Sequence, residues 1–167
     1  GNQAGGMPGA FSAGADLVQV GTAAKTDRLD EVDQMIRALH AVVQRETFSP
    51  FPVVAAPYGL ALGGGCEVCL AADRIVAHAE LYMGLVEIGV GLLPGGGGCK
   101  NLWKKAVNSI PSHVKDVDLS KFFIPTFMNI ATAKVSMSAA QARAAGFLGP
   151  QDRIVFNRDL LIGEAKK

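Results

Sequence analysis

The sequence predicts an α/β domain, and three stretches carry that prediction. The glycine run within Leu60-Ala-Leu-Gly-Gly-Gly-Cys-Glu67 is preceded by a short apolar strand, Pro52-Val-Val-Ala-Ala-Pro57, and followed by Val68-Cys-Leu-Ala-Ala72, which reads as the start of an apolar helix. Arg74-Ile-Val-Ala-His78 then reads as a second strand, so that strand, helix and strand make a parallel βαβ unit. Upstream, Leu29, Val32, Ile36, Leu39 and Val43 recur at steps of three and four, the period of an amphipathic helix.

The chain has 167 residues, enough for one domain with a real core. It is 49% hydrophobic and 19% charged with a mean hydropathy of +0.25, a balance that excludes disorder and implies that apolar surface is covered, in part by a partner. A net charge of +1 gives no electrostatic case for nucleic acid or an anionic membrane surface. No apolar run approaches the roughly 18 residues of a membrane span. The Gly1-Asn2-Gln3 start lacks the basic and apolar regions of a secretory signal, so the expected compartment is cytoplasmic. Cys66, Cys69 and Cys99 cannot all pair, which fits reduced thiols. Without a second cysteine pair or a nearby histidine, the Cys66-x-x-Cys69 spacing reads as small apolar packing, and no metal is expected.

In order along the chain, residues 1 to 15 read as loop, and Phe11-Ser-Ala-Gly-Ala-Asp16 as a small-residue turn with Asp16 placed to cap the helical turn that follows. The amphipathic helix is expected from Asp27 to Glu46 with Thr26 as its N-cap. His40 falls near its apolar stripe and is read as packed or surface-lying rather than catalytic. Three glycines in succession then remove every Cβ from one side of the backbone, and the strand-turn-helix context aims bare N–H groups and the positive end of a helix at one point. Glu67, in the first turn of that helix, stands within reach of it.

After the Arg74–His78 strand, Leu81-Tyr-Met83 reads as another extended piece. Glu87 then sits alone in an apolar, glycine-laden segment, Gly84 to Gly98, an unusual place for a solvated carboxylate. Pro94 to Gly98 opens a helix through Cys99 and Lys105. The Walker pattern fails there because Lys100 follows Cys99 and precedes Asn101, and the dinucleotide fingerprint fails for want of a suitable preceding strand. Lys100, Lys104 and Lys105 suit either an anion at this helix N-terminus or an ordinary solvated face. Between Asn108 and Thr132, Phe122, Phe123, Ile124, Phe127, Met128 and Ile130 form an apolar cluster, expected to be helical and buried in a groove or against another subunit. Ser138 and Gly146 bound a short helix, Asp152 to Phe156 reads as a strand, and Asn157 caps a last helix that runs to the end without a stop signal.

The sequence therefore offers two turns able to donate backbone N–H groups, near Ala15 and Gly64, and two carboxylates, Glu67 and Glu87, in apolar settings. Paired donors suit an enolate-like oxygen, and paired carboxylates suit an acid and a base flanking a carbon–carbon double bond, provided burial lifts at least one pKa. A glycosidase would also use two carboxylates, but the polar and aromatic residues that hold a sugar are missing around these. His40, His78 and His113 accompany no serine or cysteine in a nucleophile context.

Phe11-Ser-Ala-Gly-Ala-Asp16, Ala61-Leu-Gly-Gly-Gly-Cys-Glu67, Glu87-Ile-Gly-Val-Gly-Leu-Leu-Pro-Gly95 and Ala139-Ala-Gln-Ala-Arg-Ala-Ala-Gly146 resemble, in order and spacing, the motifs of the enoyl-CoA hydratase/isomerase (crotonase) family. The resemblance covers most of residues 10 to 107 and resumes near 136 to 156. It implies a crotonase-like ββα superhelix over 1–167, truncated at both ends and with an insertion near 108–135. It places oxyanion-hole N–H groups on Ala15 and Gly64 and makes Glu67 and Glu87 the catalytic pair. Gly95 corresponds to the position whose backbone helps place the reacting water, and Ala13, Asp16 and Lys100 become candidates for binding coenzyme A. The implied substrate is an acyl-CoA thioester, hydrated in fatty-acid β-oxidation, with coenzyme A arriving as part of the substrate and no separate cofactor. A double-bond isomerase and a non-catalytic acyl-CoA-binding fragment are the alternatives.

The sequence departs from the family at Cys99-Lys-Asn101, where Thr-Gln-Arg is common, and at Leu85-Val86, where Gln-Pro or a similar pair precedes the glutamate. The tail from Ala144 to Lys167 resembles the crotonase part of multifunctional fatty-acid oxidation proteins. The family resemblance implies a trimer-based homo-oligomer, and that of the tail a 3-hydroxyacyl-CoA dehydrogenase as covalent neighbour.

Overall fold

The computed structural model describes residues 9–167, in which parallel strands and helices alternate as an α/β fold. Strand β1 (Ala10–Ser12) leads into α1 (Leu17–Lys25) and α2 (Leu29–Thr47); β2 (Val54–Ala55) and β3 (Gly59–Leu62) are followed by α3 (Gly64–Ala71). Next come β4 (Arg74–His78), β5 (Leu81–Gly84), a one-turn 3-10 helix at Glu87–Val90 and α4 (Gly98–Asn108). The chain continues with α5 (Ser120–Ala131), α6 (Ala139–Ala144), β6 (Arg153–Val155), a 3-10 turn at Arg158–Leu160 and α7 (Leu161–Ala165).

Two three-stranded sheets form, in the orders β1-β3-β5 and β2-β4-β6, and every pairing is parallel. The chain visits them in turn. From β2 to α3 and again from β4 to α4, it places one strand in each sheet and then a helix, which makes two turns of a ββα superhelix. Ala61, Cys66, Ile75, Leu81, Met83 and Phe147 are fully enclosed where the sheets meet α3 and α6. Small side chains at Ala61 and Cys66 let α3 lie close on the strands, which is why Ala and Gly replace aromatic bulk in this sequence.

Several sequence expectations require correction. The loop read over residues 1 to 15 gives way to β1 at Ala10–Ser12, while residues 1 to 8 lie outside the described residues. Thr26 does not cap α2: it closes α1 instead, its N–H and its hydroxyl both donating to the Thr22 carbonyl. Asp27 adopts φ +56° between the helices, and α2 begins at Leu29 without a side-chain cap. Asp16 does cap α1, accepting from the N–H groups of Val18 and Gln19.

The strand read over Pro52–Pro57 shrinks to Val54–Ala55, and the strand that feeds the glycine run is β3, in the other sheet. Helix α3 starts at Gly64, four residues before Val68. The aromatic cluster is helical, as α5, but not enclosed by this chain. Phe123 meets Trp103 edge-on and stacks on Phe127, while Phe123, Ile124, Phe127 and Met128 remain 48 to 58% exposed. Ser138 and Gly146 bound α6 as expected; the N–H groups of Gly146 and Phe147 return to the carbonyls of Arg143 and Ala142, with Gly146 at φ +85°.

Candidate active site

The site lies where β1 and β3 end against α3. Gly63 takes φ +53° and ψ −125°, a backbone that residues with a Cβ rarely adopt, and this lets the chain leave β3 and begin α3 at once. The turn after β1 folds onto the same place. Its Gly14 N–H donates to the Ser12 hydroxyl, and a Cβ on Gly14 would stand 3.0 Å from the Leu62 carbonyl oxygen and 3.5 Å from the Gly64 nitrogen. The Ala15 and Gly64 turns are therefore neighbours. No acceptor among the described residues takes the N–H of either residue.

Glu67 follows one helical turn into α3 and is 1% exposed. Its carboxylate does not lack partners. Gly96 N–H donates to both oxygens at 2.8 and 2.9 Å, and Gly98 N–H donates to Oε1 at 2.8 Å. A Cβ on Gly96 would sit 2.5 Å from Glu67 Oε2, so only a bare backbone can come this near. The glycine-rich segment after Pro94 is thus a cradle for a carboxylate, not for a phosphate.

Glu87 opens the 3-10 turn that follows β5, and both of its oxygens are buried without a hydrogen-bond partner among the described residues. It faces Gly63: a Cβ there would lie 3.4 Å from Glu87 Oε1. Both carboxyl groups are held above the ordinary carboxylate range, against different opposing groups. Burial pushes Glu67 above the usual carboxylate range, while the N–H groups of Gly98 and Gly96, and then His40, pull it back. Burial also pushes Glu87 up, and the charge on Glu67 adds to the rise; its own N–H and that of Val86 oppose it without reaching hydrogen-bond geometry. Donors thus favour the charged form at Glu67, while burial and a neighbouring like charge disfavour it at Glu87.

Of the remaining sequence candidates, Gly95 is half-buried in the cradle, but its neighbours Gly96 and Gly98, not Gly95 itself, donate to Glu67. Ala13 and Asp16 are exposed on the β1–α1 turn, where the Asp16 carboxylate is engaged as the cap. Lys100 is exposed on the first turn of α4. Lys105 turns instead to Asp152, at 2.7 Å.

His40 lies at the surface, as its sequence context predicts, but makes a contact that the sequence does not disclose. The residue is exposed on α2, yet its Nε2 reaches the Gly95 carbonyl. Its signal was the stripe it belongs to, for Ile36 and Leu39 face the same cradle. Cys66 and Cys69 are free, buried thiols whose pKa values burial pushes up, so neither serves as a nucleophile. Among the described residues no cluster of histidine, cysteine, aspartate and glutamate could hold a metal ion, and no helix is long and apolar enough to cross a membrane.

Comparison with known proteins points the same way as this geometry. The family model for enoyl-CoA hydratase/isomerase matches residues 4–114. A Bacillus subtilis (strain 168) protein named as a probable 3-hydroxyacyl-CoA dehydrogenase is 44% identical over 157 residues, 94% of this chain and 19% of its own length. The mitochondrial methylglutaconyl-CoA hydratase of Homo sapiens is 42% identical over 96 residues, 58% of this chain and 27% of that protein. The crystal structure of an enoyl-CoA hydratase from Bacillus anthracis superposes with a TM-score of 0.73 at 27% identity, covering 96% of this chain and 53% of that one. This chain spans about half of that hydratase and about a fifth of the Bacillus subtilis relative.

Proposed function

Because this chain belongs to the enoyl-CoA hydratase/isomerase family, we propose that the protein it forms hydrates trans-2-enoyl-CoA to 3-hydroxyacyl-CoA. The observation that carries the reading is the asymmetric carboxyl pair, Glu67 held by three backbone hydrogen bonds and Glu87, among the described residues, by none, beside two turns whose N–H groups meet no acceptor among those residues. In this reading the N–H groups of Ala15 and Gly64 receive the thioester oxygen. Glu67 takes a proton from water, the resulting hydroxide bonds to the β-carbon, and the electron pair of the double bond moves toward the thioester as an enolate. Glu87 gives its proton to the α-carbon. The balance is one water added; the proton left on Glu67 returns to Glu87 before the next turnover.

Glycines around the carboxyl pair leave room for the reacting carbons, and the exposure of Ala13 and Lys100 supports a role for them toward the nucleotide end of coenzyme A. The Bacillus subtilis relative's dehydrogenase name fits a product that a neighbouring dehydrogenase part would oxidise, and supports reading the reaction as a step of fatty-acid oxidation. Glu67→Gln and Glu87→Gln are each expected to lower turnover of crotonyl-CoA about 10²- to 10⁴-fold. Unchanged hydration in both variants overturns the reading. An isomerase needs only one carboxyl group to move a proton between carbons, so a 3-enoyl-CoA that yields a conjugated product and never a hydroxyacyl one transfers the proposal to isomerisation.

A further inference from the structure

The cradle that holds Glu67 has a second tie, outside the glycine motif. A carbonyl oxygen only accepts, so the His40 ring must carry its proton on Nε2 where it meets Gly95. Gly95 directly precedes Gly96, the residue whose N–H reaches both Glu67 oxygens. Apolar contacts set the approach of α2 to this turn: Ile36 lies near Gly95, and Leu39 Cδ2 would be 2.8 Å from a Cβ on Gly96 and 3.5 Å from one on Gly64. Beyond Glu67 itself, the turn is tied by the Asn101 N–H, which donates to the Gly97 carbonyl. Gly97 is at φ +96°, and a backbone of four glycines has more freedom to lose than any other.

We propose that His40 is a positioning residue for Glu67: its Nε2–H fixes the Gly95 carbonyl and thereby aims the Gly96 and Gly98 N–H groups at the carboxylate that activates water. The role in turnover rests on the hydratase reading; the role in holding the cradle does not. Misaim of a catalytic group by a fraction of an ångström lowers turnover while leaving binding of a distant nucleotide nearly intact. His40→Ala is therefore expected to lower kcat for crotonyl-CoA about ten- to a hundredfold with KM within about twofold. His40→Gln, whose amide nitrogen can occupy the place of Nε2, is expected to recover most of that loss.

The independent arm is amide hydrogen exchange on the 15N-labelled chain. Exchange at Gly96 and Gly98 is expected to accelerate about tenfold or more in His40→Ala and to return toward the parent in His40→Gln. If the alanine variant does not fold, His40→Leu keeps apolar contact beside Leu39 without a donor and takes its place. Unchanged exchange at Gly96 and Gly98 overturns the proposal, as does a kcat loss that the glutamine variant shares in full. A parent chain without hydratase activity refutes the functional reading alone, and the exchange measurement then decides the role of His40.

Discussion

Glu87 keeps two oxygens out of water with no hydrogen-bond partner among the described residues, a costly state for a carboxylate and a useful one for an acid that must hold its proton. The sign of its effect on stability follows. Its folded pKa is raised, by burial first, so the contribution is fully present below the unfolded value of about 4.3 and is lost as pH rises through the folded value. Glu87→Gln removes that ionisation. Thermal unfolding of the parent and the variant should coincide near pH 4 and separate as pH rises, with the parent lower. A parent as stable as the variant at pH 8 would show that water reaches the carboxylate. Glu67 is raised in pKa too, but Glu67→Gln is expected to bring no such gain, because an amide NH₂ would replace one of two oxygens that Gly96 N–H engages. The same substitution is thus expected to stabilise at one position of the site and to bring no gain at the other.

At the scale of elements, α3 shows both what the sequence disclosed and what it withheld. Its Gly63-Gly-Gly65 entrance was legible because consecutive glycines have few structural excuses, and Glu67 was legible from its place one turn on. The strand feeding it was assigned to Pro52–Pro57, since that run is more apolar than Gly59-Leu-Ala-Leu62; four residues with one glycine are too short for a period to show. Thr26 suits an N-cap by sequence because a threonine one residue past one helix and three before the next fits either terminus. The His40 contact was hidden for a different reason: it spans 55 residues of sequence, and no local pattern encodes such a tie. The start of α3 also makes a sharper experiment available. Gly64 is the first helical residue, the position at which proline is best tolerated, so Gly64→Pro removes the proposed oxyanion donor with limited harm to the helix. Hydration should fall roughly a hundredfold or more, about 3 kcal/mol in the transition state, with ground-state binding of coenzyme A little changed. A folded variant that hydrates at the parent's rate would reduce the glycine run to a turn.

At the scale of the molecule, the two sheets and the helices that carry the site must be held in one frame, and Asp152 is the tie the sequence did not single out. It was read as the first residue of a strand. It is instead a buried hub just before β6: Oδ1 accepts the Ile75 N–H of β4 at 2.8 Å, Oδ2 accepts the Gly149 N–H at 2.6 Å, and Lys105 of α4 pairs with Oδ2 at 2.7 Å. Its carbonyl takes a further bond from Arg143 of α6. One side chain therefore joins α4, β4 and the turn after α6, and α4 begins at Gly98, a donor to Glu67. Asp152→Ala strands the Lys105 ammonium, the buried Ile75 N–H and the half-buried Gly149 N–H, a loss in the range of about 3–5 kcal/mol for a broken buried pair, lessened because Lys105 is still 23% exposed and can turn to water. Asp152→Asn keeps one acceptor oxygen and should lose about half as much. Urea unfolding followed by far-UV circular dichroism measures both. Since the frame carries the cradle, the alanine variant should also show faster exchange at the Gly98 amide before it unfolds globally. Equal stability of parent, Asn and Ala variants would mean that packing of Phe147 and Leu148 holds α4 and α6 to the sheet without the ionic tie.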